Sequence, residues 1–365
     1  MKYLTYVGCS TDDAHPQGLH LLESDNETGD FRKISSLELT NPIYMALNRS
    51  CTRLYTVLER PHFGPKGRNG GIAAFAVNGD KLDFLNEIAT GWTVPCYVAL
   101  DPSEQTLVYA EYSCGTAGYA ELQADGSIDP RYAGTADAIN PLCQVRHFGE
   151  GPNQPRQDKA HAHCAIVTPD GKYQLVVDLT LDQVKAYDFL KRAQGLKEVP
   201  AATINTLPPG AGPRHIVFHP NGKLAFVLFE LTSRISSYRY NGENFELVDS
   251  QSLIPEGFGD FSKAAAIKIS EDGTQVFCSN RGHDSIAVFN LDTSTGKLEH
   301  LNTARLDGQF PRDFEFMPGG KFMMVGLKES WRVASYAYDR NQGKFEIVAK
   351  QEGIYRPLFF KFKTI

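Results

Sequence analysis

The stretch GPRHIVFHPNGKLAFVLFELTSRISSYRY at residues 212–240 contains an apolar run, a Pro-Asn-Gly turn, a second apolar run, a polar break and a third run. Asn-Gly between apolar runs is typical of a tight hairpin, because such turns require positive φ angles. The same order recurs in KAAAIKISEDGTQVFCSNRGHDSIAVFNL at 263–291 and in FPRDFEFMPGGKFMMVGLKESWRVASYAY at 310–338. These stretches therefore predict antiparallel hairpins that are arranged as a repeat.

The turn position of this repeat can be followed through the whole chain. It recurs at spacings of about 46 to 67 residues, at Arg49, Pro102, Pro169, Pro220, Ser270, Pro318 and Lys363 or Thr364. A fourth run follows the third in stretches such as TGKLEHL and NFELVDS, so each unit holds four strands. Seven units of four antiparallel strands predict an all-β fold, the seven-bladed β-propeller.

The two ends of the chain are expected to complete one blade together. The start, YLTYVGCS, resembles the second strand of other units, and the end, YRPLFFKF, resembles the first strand. Residues 3–26 would then join the C-terminal strand in one sheet, which closes the ring and removes sheet edges. The prediction is a single propeller domain over residues 1–365, with an insertion loop near 113–160, where the turn spacing is longest.

Composition excludes several classes of partner. The net charge is −6, from 37 basic and 43 acidic residues without a long run of one sign, which argues against nucleic acid. The N-terminal apolar run is only about six residues long, whereas a signal peptide needs roughly 7–15 and a membrane helix about 20. Seven cysteines without CxxC spacing predict reduced and mostly buried thiols. We expect a cytoplasmic protein without a membrane contact, and a closed propeller leaves its oligomeric state open.

Polar residues recur at two positions of the repeat, six residues before the turn position and ten after it. These positions should lie at the same end of each hairpin. The earlier position holds Ile43, Cys96, His163, Arg214, Ala264, Arg312 and Leu358. The later position holds Glu59, Tyr112, Leu179, Glu230, Asn280 and Lys328, with Arg281 one residue further. Cations, carboxylates and a histidine around one mouth of the channel suit an anionic ligand, and a ring of salt bridges is the structural alternative.

The pair His161 and His163 is the only spacing that suggests a metal, and no third ligand can be identified. His161 could line the site or cap the preceding loop. The chain has no Gly-rich phosphate loop before a helix, no GxSxG elbow and no nucleotide motif. We therefore expect neither a metal nor another cofactor.

Several long motifs resemble one known family. They are YVGCST at 6–11, NPIYMAL at 41–47, GPNQPRQDKAHAH at 151–163, GAGPRHIVFHPNGKLAFVLFEL at 210–231, SNRGHDSIAVF at 279–289 and FPRDFEFMPGGK at 310–321. Over essentially its whole length the chain is similar to the lactonase family of seven-bladed propellers. That family includes a bacterial 6-phosphogluconolactonase branch and fungal carboxymuconate-cyclising enzymes.

The resemblance implies a lactone hydrolase whose catalytic residues are His163, Arg214, Glu230 and Arg281. His163 or Glu230 would act as the general base, and the two arginines would hold the substrate anion and the oxyanion. The residues expected to bind substrate are His161, Arg312, Glu59, Asn280, Lys328 and Tyr97. Tyr97 stands where the family often has a histidine after Pro-Cys. The expected substrate is an anionic sugar-acid lactone, such as 6-phosphogluconolactone or an aldaric or uronic acid lactone.

Two other functions remain open at this point. The same residues could run the reverse reaction and form a lactone from a carboxylate and a double bond, as in the carboxymuconate-cyclising branch. The chain could also be a propeller that only binds a protein or ligand, with the charged positions kept as a salt-bridge ring. Inward-pointing polar groups favour the enzyme, because scaffolding propellers usually offer broad exposed surfaces.

Overall fold

The computed structural model describes residues 1–60, 63, 70–135 and 138–364. Its described chain folds into 28 β-strands that form seven four-stranded sheets. By its internal contacts the chain divides into two compact units. The first comprises residues 1–39, 215–240 and 246–365, and the second comprises residues 40–214 and 241–245.

The first unit holds three complete sheets and most of a fourth. In sheet order, one complete sheet contains β28 (Pro357–Thr364), β1 (Lys2–Cys9), β2 (Gln17–Asp25) and β3 (Phe31–Glu38). The other two complete sheets contain β20 (Lys263–Ile269), β21 (Gln275–Arg281), β22 (Ser285–Leu291) and β23 (Leu298–Arg305), and β24 (Pro311–Phe316), β25 (Phe322–Leu327), β26 (Arg332–Asp339) and β27 (Lys344–Glu352). The fourth sheet, most of which belongs to this unit, contains β16 (Pro213–Phe218), β17 (Leu224–Phe229), β18 (Arg234–Tyr240) and β19 (Phe245–Ser252).

The second unit holds the other three sheets. They are β4 (Met45–Leu47), β5 (Arg53–Glu59), β6 (Gly70–Asn78) and β7 (Lys81–Ala89); β8 (Tyr97–Leu100), β9 (Thr106–Glu111), β10 (Thr116–Glu121) and β11 (Gln144–Arg146); and β12 (Ala162–Val167), β13 (Tyr173–Asp178), β14 (Gln183–Asp188) and β15 (Ile204–Asn205).

The helices of the described chain are single 3₁₀ turns. They span Tyr112–Cys114, Pro130–Tyr132, Arg192–Gln194, Pro200–Ala202 and Lys328–Ser330. None of the described helices has the length and apolar content needed to cross a membrane.

The prediction of an all-β, seven-bladed propeller with four antiparallel strands per blade is confirmed. The predicted closure is confirmed as well, because β28 from the C-terminus pairs antiparallel with β1 from the N-terminus, from Tyr3 opposite Thr364 to Cys9 opposite Pro357. The segment predicted as an insertion, 113–160, contributes β10 and β11 and a connection that leads to β12. Residues 136 and 137 of this segment lie outside the described residues.

Burial explains why the strands of one sheet differ in composition. The second strands, such as β17 and β25, are buried at every position, which suits their continuous apolar sequences. The fourth strands, such as β3 and β27, lie at a sheet edge and are mostly exposed. Charged residues on an exposed edge discourage pairing with other chains.

Apolar side chains of neighbouring sheets pack together inside each unit. One such cluster contains Phe226, Leu228, Val276 and Phe289 in the first unit. Another contains Val57 and Tyr109 among others in the second unit. Six of the seven cysteines are buried, which confirms the prediction of mostly buried cysteines.

A β-bulge marks the start of the first strand in several sheets. The pairing register shifts at His163 in β12, at Arg312 in β24 and at Leu358 in β28. All three are positions six residues before a turn position. In the sheet of β20, Ala264 pairs directly with Asn280, so the two polar positions lie at the same hairpin end, as predicted. A bulge leaves its extra residue out of the ladder and redirects the side chain.

A buried group of charges joins β20 and β24 in the first unit. The Lys268 ammonium lies 2.8 Å from Glu315 Oε2 and 3.6 Å from Asp313 Oδ1. Burial raises the pKa of Asp313 from 3.8 to about 6, because Lys268 offsets only part of the desolvation of this carboxylate. The folded state therefore binds the Asp313 proton more tightly than the unfolded state does.

This linkage predicts the effect of Asp313→Asn on stability. Ionisation of Asp313 costs the folded state more than the unfolded state, so stability falls as pH rises from about 4 to about 6. The variant lacks this loss, and its free energy of unfolding relative to wild type should improve by about 2 kcal/mol over that range. Urea titrations at several pH values would measure the difference.

Asp292→Asn provides the control for this measurement. Hydrogen bonds from Ser294 and Thr295 hold the pKa of Asp292 well below 3.8. Its titration therefore lies below the tested range, and the difference between this variant and wild type should stay nearly constant above pH 5. A constant difference for Asp313→Asn would contradict the raised pKa.

Candidate active site

A deeply buried ion pair among the predicted site residues joins Glu230 and Arg281. Glu230 directly follows β17, and Arg281 is the last residue of β21. Arg281 Nη2 lies 3.0 Å from Glu230 Oε2, and the two side chains are only 6% and 3% exposed. A buried charge is stable only when it is paired and hydrogen-bonded, so these two residues depend on each other.

The backbone around Arg281 fixes the direction of its guanidinium group. Nη2 donates to Ala264 O at 2.7 Å, and Nε donates to Lys263 O at 3.3 Å. Gly282 then turns the chain at a φ of +93°, and a Cβ there would meet Phe261 O at 2.3 Å. Only glycine fits this turn, which explains the Arg-Gly pair in SNRGHDSIAVF.

Phe310 is an aromatic surface for two of the predicted cations. The Arg281 guanidinium carbon lies 5.4 Å from the centre of this ring, and the Lys328 nitrogen lies 5.0 Å from it. Lys328 also donates its backbone N–H to Phe310 O at 3.1 Å. Because an aromatic face attracts cations, Phe310 stabilises both positive charges, each of which is also paired with a carboxylate, Glu230 or Glu329.

Asn280 and Arg312 occupy different environments in the same unit. Asn280 is fully buried, and its Nδ2 donates to Leu253 O at 3.3 Å and to Ser285 Oγ at 3.2 Å. These bonds tie the end of β21 to β22 and to the preceding connection. Arg312 lies at the bulge of β24 and is partly exposed.

In the second unit, His161 and His163 both contact Tyr112. The His161 ring stacks on Tyr112 with a centroid distance of 4.1 Å and an interplanar angle of 2°. His163 meets the same ring edge-on at 5.5 Å. His163 is 4% exposed and occupies the bulge of β12. The structure therefore brings the two predicted histidines together through a tyrosine.

Both ring nitrogens of His161 lie within hydrogen-bond distance of an oxygen atom. Nδ1 lies 2.8 Å from Tyr112 O, and Nε2 lies 3.1 Å from Asp158 Oδ1. A neutral imidazole has one donor nitrogen, so only the imidazolium form can donate to both oxygens. Asp178 Oδ1 also accepts the backbone N–H of His161 at 3.1 Å, which fixes the chain at the start of β12.

The remaining predicted residues lie at other strand ends of the second unit. Glu59 ends β5 and accepts a 2.7 Å hydrogen bond from Asn41 Nδ2. Tyr97 begins β8, and its ring packs 4.2 Å from that of Tyr44. Arg214 is the second residue of β16 and is 3% exposed.

Sequence reasoning gave no site role to three residues that shape these clusters. Phe310 stands one residue before β24, and nothing in its apolar context marked it as a surface for cations. Tyr112 occupies the position ten residues after a turn, and this repeat position was the available signal. Glu111 ends β9 as a fully buried carboxyl, and a lone acidic residue in an apolar strand was the signal that could have identified it.

The described part of the chain contains no cluster of three or more His, Cys, Asp or Glu residues arranged to hold a metal ion. The predicted site residues instead place buried carboxylates, guanidinium groups and imidazoles at strand ends. Such groups can bind an anion, activate a water molecule and stabilise an oxyanion.

Comparison with known proteins places this geometry in context. The chain is 32% identical over 367 residues to the 6-phosphogluconolactonase of Bacillus subtilis (strain 168), with 99% of this chain and 98% of that protein covered. It superposes with a TM-score of 0.86 on a crystal structure of a Lactobacillus plantarum protein, at 31% identity and full coverage of both chains. The periplasmic gluconolactonase of Pseudomonas aeruginosa matches with a TM-score of 0.89 at 25% identity, over 100% of this chain and 99% of that one.

The family model described as "Lactonase, 7-bladed beta-propeller" matches residues 4–362. This match covers nearly the whole chain and agrees with the seven four-stranded sheets and with the shared terminal sheet. The chain belongs to the lactonase family of seven-bladed β-propellers.

Proposed function

We propose that this protein hydrolyses an anionic sugar-acid lactone. Family membership supports a lactone substrate, and the names of two relatives supply a phosphorylated and a neutral example, 6-phosphogluconolactone and gluconolactone. The observation that carries the proposal is the buried Glu230–Arg281 pair, which offers a base and a guanidinium within 3.0 Å of each other.

The proposed reaction needs three functions and no cofactor. A water oxygen attacks the lactone carbonyl carbon and passes one proton to a base, which leaves a negative charge on the carbonyl oxygen. Cationic N–H donors stabilise that oxyanion. The ring C–O bond then breaks, and the leaving alkoxide takes the proton, which yields the open hydroxy acid.

Glu230 is our first choice for the base, because Arg281 favours its ionised, proton-accepting form. Arg281 would also donate to the oxyanion, since a guanidinium has five N–H donors and can serve more than one acceptor. His163 is the second choice for the base. Arg214 enters the proposed set through the family resemblance, as a further donor to the substrate anion.

The cations near Phe310 support an anionic substrate. Arg281 and Lys328 lie against one ring, and both are supplied by strand ends of the same unit. A phosphate or carboxylate on the lactone would accept charge-assisted hydrogen bonds from these two cations, beside their pairs with Glu230 and Glu329.

Replacement of Glu230 tests the base. Glu230→Gln removes the proton acceptor and should lower kcat for lactone hydrolysis by roughly 10²- to 10⁴-fold. It also removes one buried counter-charge of Arg281, and breaking a buried ion pair can destabilise the fold by about 3–5 kcal/mol. Glu230→Asp keeps the charge and draws the carboxylate back, so it should retain the fold and still lose activity.

Glu352→Gln is the matched control, because Glu352 forms an exposed pair with Arg332 in the same unit. Its kcat should equal that of wild type. Stopped-flow or pH-indicator assays of ring opening, with thermal melting of each variant, would measure both properties. Wild-type kcat in a well-folded Glu230→Asp variant would exclude Glu230 as the base and favour His163.

Replacement of Lys328 tests the preference for an anion. Lys328→Met keeps a flexible chain against Phe310 and removes one positive charge, so KM for 6-phosphogluconolactone should rise several-fold. KM for uncharged gluconolactone should not change, because the lost interaction is with the substrate's charge. Rates for a panel of phosphorylated, aldaric, uronic and neutral lactones would measure the effect.

The same panel separates the other candidate functions. Equal changes for charged and neutral lactones would contradict an anion site near Phe310. Conversion of a muconate to a lactone, without hydrolysis of any sugar lactone, would replace the proposal with the lactone-forming reaction. A protein that binds a partner stoichiometrically and acts on no lactone would be a binding propeller.

A further inference from the structure

Glu111 connects two segments of the second unit through one carboxylate oxygen. Its Oε2 accepts hydrogen bonds from Thr93 N at 3.2 Å, from Thr93 Oγ1 at 3.2 Å and from Cys114 Sγ at 3.0 Å. Thr93 belongs to the connection that leads to β8, and Cys114 ends the 3₁₀ turn after β9. A single buried side chain therefore holds the turn against this connection.

The turn held by Glu111 carries Tyr112. Gly115 ends the turn at a φ of +68°, and a Cβ there would meet Ala160 at 2.8 Å, so the turn packs directly against the residue before His161. Tyr112 then stacks on His161 and accepts its Nδ1 hydrogen bond, and it contacts His163 edge-on. Any movement of the turn moves the surface on which both histidine rings rest.

A second set of contacts, made by Arg146, links the same two segments. Arg146 Nε donates to Cys114 O at 3.2 Å, and the Arg146 guanidinium lies 4.4 Å from the centre of the Trp92 ring. Trp92 precedes Thr93, whose N–H and hydroxyl bond to Glu111. The indole ring therefore reports on both segments that the carboxylate joins.

We propose that Glu111 is a positioning residue of the candidate active site. Its ionisation state determines the position of Tyr112, and Tyr112 in turn positions the rings of His161 and His163. This inference rests on the proposed function for its catalytic consequence. Glu111 itself is fully buried and acts through the turn. The ionised carboxylate attracts all three donors, whereas a protonated carboxyl accepts them more weakly and the turn loosens.

The burial and the hydrogen bonds of Glu111 support a change in the charge of this residue near neutral pH. Burial raises the pKa of Glu111 to about 7, even though hydrogen bonds from Cys114 and Thr93 favour the ionised form. Burial also raises the pKa of Cys114 to about 12 and that of Tyr109 well above its usual value, so neither group titrates in this range.

Other ionisable or charged groups lie on the elements around Glu111. They are Cys96 before β8, Tyr97 on β8, Tyr112 in the 3₁₀ turn, Tyr119 and Glu121 on β10, Cys143 before β11, Arg146 on β11, Arg156 over the Tyr112 ring, and His161, His163 and Cys164 at β12. The histidines are the groups whose titration could be confused with that of Glu111. A variant that changes Glu111 and keeps both histidines resolves this ambiguity.

The test uses the full chain and the fluorescence of one tryptophan. The chain has two tryptophans, and Trp331→Phe leaves Trp92 as the reporter. Between pH 5 and pH 9, this variant should show a fluorescence transition with a midpoint near pH 7. Adding Glu111→Gln should abolish the transition, and adding Cys114→Ala should raise the midpoint, because the thiol donor favours the ionised carboxylate.

Glu121→Gln is the matched control for Glu111→Gln. Glu121 lies opposite Thr106 at the far end of the same β9–β10 hairpin, where it accepts bonds from Thr106 and Arg192. The Trp92 transition should be unchanged in this variant. A transition that survives Glu111→Gln and vanishes in His161→Gln would assign the titration to the histidine and overturn the proposal.

Two further readouts test the positioning role. The imidazole NMR resonances of His161 should show a shift component with the midpoint of the Trp92 transition in wild type, and this component should be absent in Glu111→Gln. In lactone assays, Glu111→Gln should lower kcat about tenfold, leave KM nearly unchanged and remove the rise in kcat near pH 7. If wild type hydrolyses no lactone, the proposed function fails, whereas the fluorescence and NMR results still decide whether Glu111 positions the rings. Unchanged His161 resonances and an unchanged pH profile in Glu111→Gln would refute it.

Discussion

Burial of the strands on both faces is the constraint on which the other features of this protein depend. Strands such as β17 and β25 have no exposed position, so a charged side chain within them would lose its hydration without compensation. In these fully buried strands, a charge can enter only where the strand ends and the chain turns. Glu230, Arg281 and Glu111 all stand at such ends. The fold therefore concentrates its reactive groups at strand ends before any particular chemistry is specified.

Much of this arrangement could be predicted from sequence, because the repeat encodes it directly. Turn residues at regular spacing predicted the four-stranded sheets. The similarity of the two chain ends to different strands of the repeat predicted the sheet in which β28 pairs with β1. The hairpin register followed from the turn position, so Ala264 opposite Asn280 needed no coordinates. These features depend on local turn geometry and on alternating apolar runs, which are visible in one sequence.

Side-chain partnerships could not be predicted in the same way. Phe310 was not recognised as a surface for Arg281 and Lys328, because an apolar residue before a strand usually enters a core. The bulges at His163 and Arg312 were also missed, since one extra residue in a strand leaves no mark in the hydrophobic pattern. Such features depend on contacts between residues far apart in sequence.

The surroundings of His161 show how one fold can give two carboxyl groups opposite properties. Burial alone would raise the pKa of Asp178, but hydrogen bonds from His147 and from backbone N–H groups, including that of His161, lower it. Glu111 has weaker donors, a thiol among them, and burial prevails there. Asp178 is thus a permanent anion that fixes the backbone of β12, while Glu111 can change its charge. At active sites, two ionisable groups whose environments shift their pKa values in opposite directions commonly have different roles. Here Asp178 fixes the position of β12, while a change in the charge of Glu111 can move the Tyr112 ring.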